Sequence, residues 1–141
     1  INARNCYIAL VSEDGQALEF PYYVDEQGGK GISRRMGPGL TEYVLRTRKP
    51  LLVSRAEADE LIAQGVFQTA GPRANSWLGV PLVCEGRALG VIAVQSYQAD
   101  VAYSDRDRLM PSWRSAWPSA QASCKSRSPC ASASRPSCST R

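Results

Sequence analysis

The side chains best suited to binding a small molecule are aromatic and polar residues in a few short segments. Tyr22 and Tyr23 precede a glycine-rich loop and can stack on a planar ligand. Arg34 and Arg35 stand before a Gly-Pro-Gly turn, where guanidinium groups can bind an anion. Each also has a structural interpretation, as a sheet aromatic or a solvated cation. The residues that we predict to bind a ligand are Tyr23, Thr41, Glu42, Asn75, Ser76, Trp77 and Gln95.

The remaining predicted ligand residues stand at the ends of predicted helices and strands. Thr41 and Glu42 open a helix, whose free amides can receive a phosphate or carboxylate, although capping is the simpler role. Residues 75–77 begin a strand beside a variable polar loop, where pocket-lining groups are common. Gln95 is a polar residue near the end of an apolar strand. It either reaches into a pocket or marks the exposed end of that strand.

The absence of His limits the chemistry open to the chain. It excludes His-ligated metal sites and mechanisms that use an imidazole base. Of the five cysteines, Cys6 and Cys84 lie in apolar segments, and the irregular spacing predicts no disulfide framework. We expect both to be buried as small hydrophobic residues. We therefore predict that the chain has no catalytic and no metal-binding residues, with a thiol-dependent oxidoreductase acting through Cys84 as the remote alternative.

Charge divides the chain at about residue 110. Residues 1–110 carry 12 Lys or Arg and 13 Asp or Glu, whereas residues 111–141 carry five basic residues and no acidic one. The body therefore gives no electrostatic case for nucleic-acid binding, and no apolar run is long enough to span a membrane. We predict one domain over residues 1–110 and a disordered Ser-, Arg- and Pro-rich tail over 111–141. A basic arm and out-of-frame sequence that replaces a continuing helix are both open interpretations of that tail.

Apolar patterns predict two pairs of strands. Segments 6–11 and 17–23 are joined by Asp14-Gly15, a strong hairpin signal, and Pro21 indicates an edge position or a bend. Segments 76–84 and 88–97 are joined by a tight turn over residues 85–87. Hairpins outnumber strand–helix alternations, so the pattern predicts an α+β fold with a mainly antiparallel sheet.

Three helices and one short strand are predicted around these pairs. Segment 40–47 places Leu40, Tyr43, Val44 and Thr47 on one helical face, and segment 51–53 reads as a strand. Ser54 and Glu57 form a capping box for a helix that ends at Gly65. Ser104 caps the start of a third helix.

Four segments, taken in order, resemble GAF domains of bacterial signalling proteins. Residues 39–50 (GLTEYVLRTRKP) are similar to the family pattern G-L-T-x-x-V-L-x-T-x-K-P. Residues 76–82 (SWLGVPL) resemble the penultimate strand of the family, and residues 86–96 (GRALGVIAVQS) resemble its final hairpin. Residues 103–107 (YSDRD) are similar to the Y-[ST]-x-x-D start of the last helix. The expected helix before Cys6 is missing, and the last helix is interrupted at Pro111.

The resemblance implies a GAF-like (PAS-like) antiparallel sheet of five to six strands. It implies helices on one face and, on the other, a ligand pocket roofed by residues 25–75. It also implies a cytoplasmic, homodimeric sensory domain that passes ligand binding to an output domain of diguanylate cyclase, cyclic-di-GMP phosphodiesterase or histidine kinase type. The ligand and any cofactor are unknown. Lack of His excludes the phytochrome-type chromophore site, and the pattern of cyclic-GMP-binding members is absent. A dimerisation domain with a degenerate pocket is the alternative.

Overall fold

The computed structural model describes residues 4–69 and 71–108. The predicted tail at 111–141 lies outside these residues. The strands are β1 (Asn5–Val11), β2 (Ala17–Val24), β3 (Arg34–Arg35), β4 (Leu51–Ser54), β5 (Ser76–Cys84) and β6 (Arg87–Ser96). The helices are α1 (Leu40–Thr47), α2 (Arg55–Ala63) and α3 (Asp105–Arg108).

The six strands form one antiparallel sheet in the order β3-β2-β1-β6-β5-β4. This arrangement confirms the predicted α+β class and the six-stranded sheet. The strand that sequence patterns did not predict is β3, which pairs Arg34 and Arg35 with the start of β2. A two-residue strand is too short to show an alternating pattern.

The turns form where glycine permits a left-handed backbone. Gly15, with φ of 73°, lies in the β1–β2 turn, and Glu85 and Gly86 at φ 51° and 75° join β5 to β6. Two consecutive positive φ values are the signature of the tight hairpin turn whose twist matches that of the strands.

The bend predicted at Pro21 is a β-bulge. Ile8 pairs with Tyr22 and Leu10 pairs with Glu19, so Phe20 and Pro21 together stand opposite one residue of β1. Proline has no backbone N–H, and a bulge is a position where the ladder loses little from its absence. The bulge increases the twist of β2 where this strand borders the cleft described below.

One face of the sheet, here called the inner face, packs against α1. The register aligns Tyr7 with Ala93 and Ala9 with Val91, which places these four side chains on the same face. Val44 of α1 is fully buried with them. The middle helices and their loops thus cover the inner face, as the predicted roof requires.

The buried face of α1 differs from the predicted one. Val44 is buried as expected, but Leu40, Tyr43 and Thr47 are only half-buried. The other buried residues of the helix are Thr41, Glu42 and Leu45. The prediction from apolar spacing was wrong because two polar side chains have partners in the interior, which turn the helix toward them.

Both predicted helix starts have the expected capping residues. The Ser54 hydroxyl accepts the amide of Glu57, and the Glu57 carboxylate accepts the amide of Ser54, so the capping box of α2 is confirmed. At α3 the Ser104 amide donates to the carboxylate of Asp107 at 2.6 Å. Among the described residues, no helix is long and apolar enough to cross a lipid bilayer.

Candidate functional site

A cleft lies between the inner face of the sheet and a roof made by α1, α2 and residues 67–69 and 71–74. It has two adjoining chambers, with volumes of about 110 Å³ and about 180 Å³. The first lies under α2, and the second lies under the glycine-rich loop after β2. Six residues line both chambers: Tyr7, Arg34, Thr41, Gly71, Pro72 and Gln95.

Two buried hydroxyl groups form the polar centre of the cleft. The Tyr7 hydroxyl lies 2.9 Å from Oγ1 of Thr41, and Nε1 of Trp77 donates to the Tyr7 oxygen at 3.3 Å. Burial raises the pKa of Tyr7 above its ordinary value, since the phenolate would lose its hydration. The phenol therefore stays protonated at neutral pH. Strands β1 and β5 and helix α1 each supply one of these three side chains.

The position of Trp77 depends on the glycine two residues further along β5. A Cβ atom at Gly79 would lie 2.2 Å from the indole ring, so the ring occupies the space that any larger residue would fill. Trp77 itself is 4% exposed. Its ring is consequently held flat on the sheet as part of the cleft floor.

The charged residues that line the cleft are all cationic. Arg34, Arg55 and Arg73 border the first chamber, and Lys30 borders the second. Among the described residues, no Asp or Glu lines either chamber.

The acidic partners of two of these arginines are not among the residues that line the cleft. Arg34 forms an ion pair with Glu42, whose side chain is 2% exposed and also accepts the amide of Gly37 at 3.0 Å. Arg73 pairs with Asp59 of α2. Each carboxylate fixes its guanidinium without entering the cleft.

A hydrogen-bonded cluster ties the second chamber to the loop that follows β2. Asp25 accepts from the hydroxyl of Tyr97 at 2.9 Å and from that of Tyr23 at 3.4 Å. The Gln95 amide donates to the Tyr97 oxygen at 3.0 Å. Burial and the nearby Asp25 carboxylate raise the pKa of Tyr97, so this phenol remains a donor. Tyr23 also stacks on Tyr7, with ring centroids 5.6 Å apart and planes at 15°.

Four of the predicted ligand residues line the cleft, and three lie elsewhere. The four are Tyr23, Thr41, Trp77 and Gln95. Among the three others, Glu42 forms an ion pair with Arg34. Asn75 donates its side-chain amide to the carbonyl of Tyr97, and the Ser76 hydroxyl accepts the amide of Tyr103 at 3.3 Å. Glu42, Asn75 and Ser76 therefore connect elements of the fold and do not line either chamber.

The residues that were considered from sequence but not predicted to bind a ligand also lie partly inside and partly outside the cleft. Arg34 lines the cleft, whereas Arg35 is exposed and Tyr22 is half-exposed outside it. Cys6 and Cys84 are half-buried, so the expectation that both are buried was wrong. Neither lines the two chambers.

Sequence patterns missed several residues that shape the cleft. Tyr7 lies in an apolar strand, where an aromatic residue is ordinarily interpreted as part of the hydrophobic core. Phe67, Gln68 and Arg73 lie in a polar loop with no periodicity, and their role depends on the loop folding over the sheet. The signal that was present is the alternation of β1, which places Tyr7 on the same face as Ala9 and hence toward α1.

A sequence model of one family matches most of the chain. The model of the GAF domain covers residues 1–110. Comparison with curated protein sequences finds no similar sequence.

Several solved structures have a similar backbone. The GAF domain from an Acinetobacter phosphoenolpyruvate-protein phosphotransferase is 22% identical with a TM-score of 0.56, and the match covers 74% of this chain and 61% of that domain. A methyl-accepting chemotaxis protein (residues 122 to 287) is 19% identical with a TM-score of 0.62, over 75% of this chain and 69% of the other. The type II free methionine-R-sulfoxide reductase of Thermoplasma acidophilum is 17% identical with a TM-score of 0.60, over 79% of this chain and 73% of the reductase. At these identities the similarity shows a shared fold.

Proposed function

The chain belongs to the GAF domain family, and we propose that it is a small-molecule-sensing regulatory domain whose ligand occupies the cleft between the sheet and α1–α2. The observation that carries this proposal is the polar centre of the cleft, where Tyr7, Thr41 and Trp77 meet beside empty space. A domain that needed only a stable core would fill this space with apolar side chains, because an empty volume in the interior forfeits packing contacts.

The ligand space is built from parts of the chain that are far apart in sequence. Tyr7 comes from β1, Thr41 from α1, Trp77 from β5 and Gln95 from β6. A ligand that contacts all four bridges the sheet and its roof, so its binding free energy favours one relative position of these elements. This bridging gives the domain a physical means of passing occupancy to an attached domain.

The rest of the functional proposal concerns the larger protein. We place the domain in a cytoplasmic bacterial signalling protein, as a homodimer joined to an output domain of diguanylate cyclase, cyclic-di-GMP phosphodiesterase or histidine kinase type. Membership of the GAF family supports this context, whereas the chemotaxis protein and the phosphotransferase domain share the fold alone. The match spans 61% of the phosphotransferase domain, so its activity is not carried over to this chain.

A thiol enzyme is the less favoured function. One solved relative is a methionine sulfoxide reductase, but at 17% identity it shows the fold alone. Cys6 and Cys84 lie outside the cleft lining, and burial raises the pKa of Cys6, which lowers its thiolate fraction at neutral pH. A binding domain without catalysis is therefore the function that we favour.

The test is a ligand screen of the full chain by thermal unfolding, followed by calorimetry. Substituting Ala58→Phe in α2 places a large ring in the first chamber, whereas Ala56→Phe places the same ring on the exposed side of the same helix. We expect a stabilising metabolite to bind the wild type and Ala56→Phe alike and to lose at least about 10-fold in affinity for Ala58→Phe. Equal affinity for both variants would place the ligand elsewhere and reject the cleft.

The alternative, a dimerisation domain with a degenerate pocket, predicts a different result. Tyr22 and Val24 are 50% and 43% exposed on β2 and offer apolar surface to a partner. If no metabolite raises the melting temperature and the chain is a tight dimer that Tyr22→Asp and Val24→Asp dissociate, the alternative replaces the sensory proposal.

A further inference from the structure

The charge of the cleft selects for anions. Arg34 joins the two chambers, Arg55 and Arg73 border the first, and Lys30 borders the second. Glu42 and Asp59, which pair with Arg34 and Arg73, do not line either chamber. The Arg34 guanidinium uses Nη1 and Nη2 on Glu42 and Nη1 also on the Arg35 carbonyl, which leaves two of its five N–H donors without a partner among the described residues. Arg55 and Lys30 have no ion-pair partner among the described residues, so their positive charge attracts an anion, while Arg34 and Arg73 supply hydrogen-bond donors beside it.

The hydroxyl hydrogens at the centre of the cleft lead to the same conclusion. Tyr7 and Thr41 have two hydroxyl hydrogens between them, and their mutual hydrogen bond uses one. The bond from Trp77 supplies its own hydrogen to the Tyr7 oxygen. Among the described residues, no other acceptor bonds to either hydroxyl. One hydrogen therefore remains to donate, next to a cavity and within two side chains that are 9% and 4% exposed.

The size and walls of the cleft limit the anion to a small molecule. The chambers of about 110 Å³ and about 180 Å³ are each below the roughly 300–1,000 Å³ of pockets that hold drug-sized ligands. The walls also include the rings of Trp77 and Phe67 and the side chain of Ile62. These apolar surfaces fit a small hydrocarbon or ring better than a nucleotide with several charged groups.

We propose that the ligand of this cleft is a small organic carboxylate, held by Arg34 and by the spare hydroxyl donor of the Tyr7–Thr41 pair. The inference rests on the proposed function, since it names the ligand class of the same site. The carboxylate lies at the junction of the chambers, where Arg34 and Thr41 both line the space. Its apolar body extends over Trp77 toward Phe67.

The first experiment compares matched acids and amides on the full chain. Calorimetric titrations use acetate, propionate and benzoate against acetamide, propionamide and benzamide, with inorganic phosphate as the competing anion, all at one ionic strength. We expect at least one carboxylate to bind about 10-fold more tightly than its amide and more tightly than phosphate. Equal binding of acid and amide, or tighter binding of phosphate, overturns the carboxylate assignment.

Variants then locate the charge that recognises the acid. The double variant Arg34→Gln/Glu42→Gln removes the cation together with its buried partner, so that no carboxylate is left unpaired in the interior. We expect it to abolish the preference for acid over amide, while Arg35→Gln, an exposed cation on the same strand, leaves the preference unchanged. Should the double variant not fold, Arg55→Gln provides the same test at the mouth of the first chamber. We expect this variant to reduce the preference for acid over amide about threefold. A preference that survives both changes contradicts the inference.

The inference and the proposed function fail in different ways. If neutral metabolites bind and Ala58→Phe blocks them while every carboxylate fails, the domain is sensory and the ligand class assigned here is wrong. If no acid, amide or metabolite binds at all, the proposed function itself is rejected.

Discussion

At the scale of single residues, Gly79 determines where the indole of Trp77 lies. A Cβ atom at this position would meet three atoms of the ring at 2.2–3.0 Å, closer than atoms in a folded protein approach. The indole also donates a hydrogen bond to Tyr7, so a shift of the ring away from a new Cβ atom would disturb that bond. The floor of the cleft is therefore sensitive to a single methyl group.

We expect Gly79→Ala to destabilise the fold by about 1–3 kcal/mol, as overpacking of a filled interior does. The matched control is Gly37→Ala, because a Cβ atom there meets nothing closer than 3.7 Å and its φ is compatible with alanine. Urea unfolding of both variants measures the difference. If Gly79→Ala unfolds at the same urea concentration as the wild type, the indole does not lie where the structure places it.

The ion pair between Arg34 and Glu42 joins β3 to the start of α1. Glu42 is almost fully buried, and Arg34 and the amide of Gly37 are its partners. Removing only the cation leaves a buried carboxylate without its charge partner, which is more costly than removing both groups.

We therefore expect Arg34→Met to destabilise the chain by on the order of 3 kcal/mol and Arg34→Met/Glu42→Leu to recover much of that loss. A double-mutant cycle in urea, completed with Glu42→Leu, gives the coupling free energy. A coupling near zero would show that the pair contributes nothing to holding β3 against α1.

At the scale of elements, α2 depends on its first turn. It buries no residue fully, so its capping box supplies stability that the packing of the helix does not. The backbone and side chain of Ser54 donate to the Glu57 carboxylate and lower the pKa of Glu57. Because α2 lines the first chamber through Arg55 and Ala58, loosening its start opens the cleft.

Ser54→Ala is expected to cost about 1 kcal/mol of stability. The Glu57 contribution is present above its unfolded pKa of 4.5 and is lost as pH falls through the lower folded value, since the protonated acid accepts less well. Stability of the wild type should therefore fall below about pH 4.5 more steeply than that of Glu57→Gln. Glu60→Gln, which changes an exposed acid about one turn further along α2, serves as the control. Identical pH slopes for the wild type and Glu57→Gln would contradict this role.

Sequence patterns predicted the elements of this fold better than their orientation. Both hairpins, the bounds of α1 and the capping box were predictable because each follows from local backbone chemistry. The buried face of α1 was not predictable. Thr41 is buried against a partner 34 positions away along the chain and Glu42 against one eight positions away, and no local sequence pattern encodes these contacts. Short β3 was missed for a related reason, because it exists only through its pairing with β2.

At the scale of the whole molecule, the site residues that could be predicted were those near turns or strand ends. Thr41, Trp77 and Gln95 were identified in this way and line the cleft. Tyr7 was missed because sequence position does not distinguish an aromatic residue in the core from one on a cleft floor. That distinction is made only when β1, α1 and β5 pack together.

Buried phenols make the stability of the fold sensitive to alkali. Burial raises the pKa of Tyr103 from 10.0 to about 12, and it raises the pKa values of Tyr7 and Tyr23 in the same direction. A raised folded pKa contributes stability that is complete below pH 10 and is lost as pH rises through the folded value. We expect the urea concentration at the unfolding midpoint to decrease as pH rises from 10 to 12. The decrease should be smaller for Tyr103→Phe. A flat midpoint over this range would contradict the burial of these hydroxyls.

The most direct test of the central claim follows the indole N–H of Trp77 by ¹H–¹⁵N NMR during titration with the best ligand from the screen. The resonance is assigned by its loss in Trp77→Phe. If the ligand occupies the cleft, the indole signal and the amides of Thr41 and Gln95 shift together, while those of Tyr22 and Val24 on β2 stay in place. A ligand that binds and leaves the Trp77 signal unmoved, or a screen in which no compound moves it, contradicts a sensory cleft in this domain.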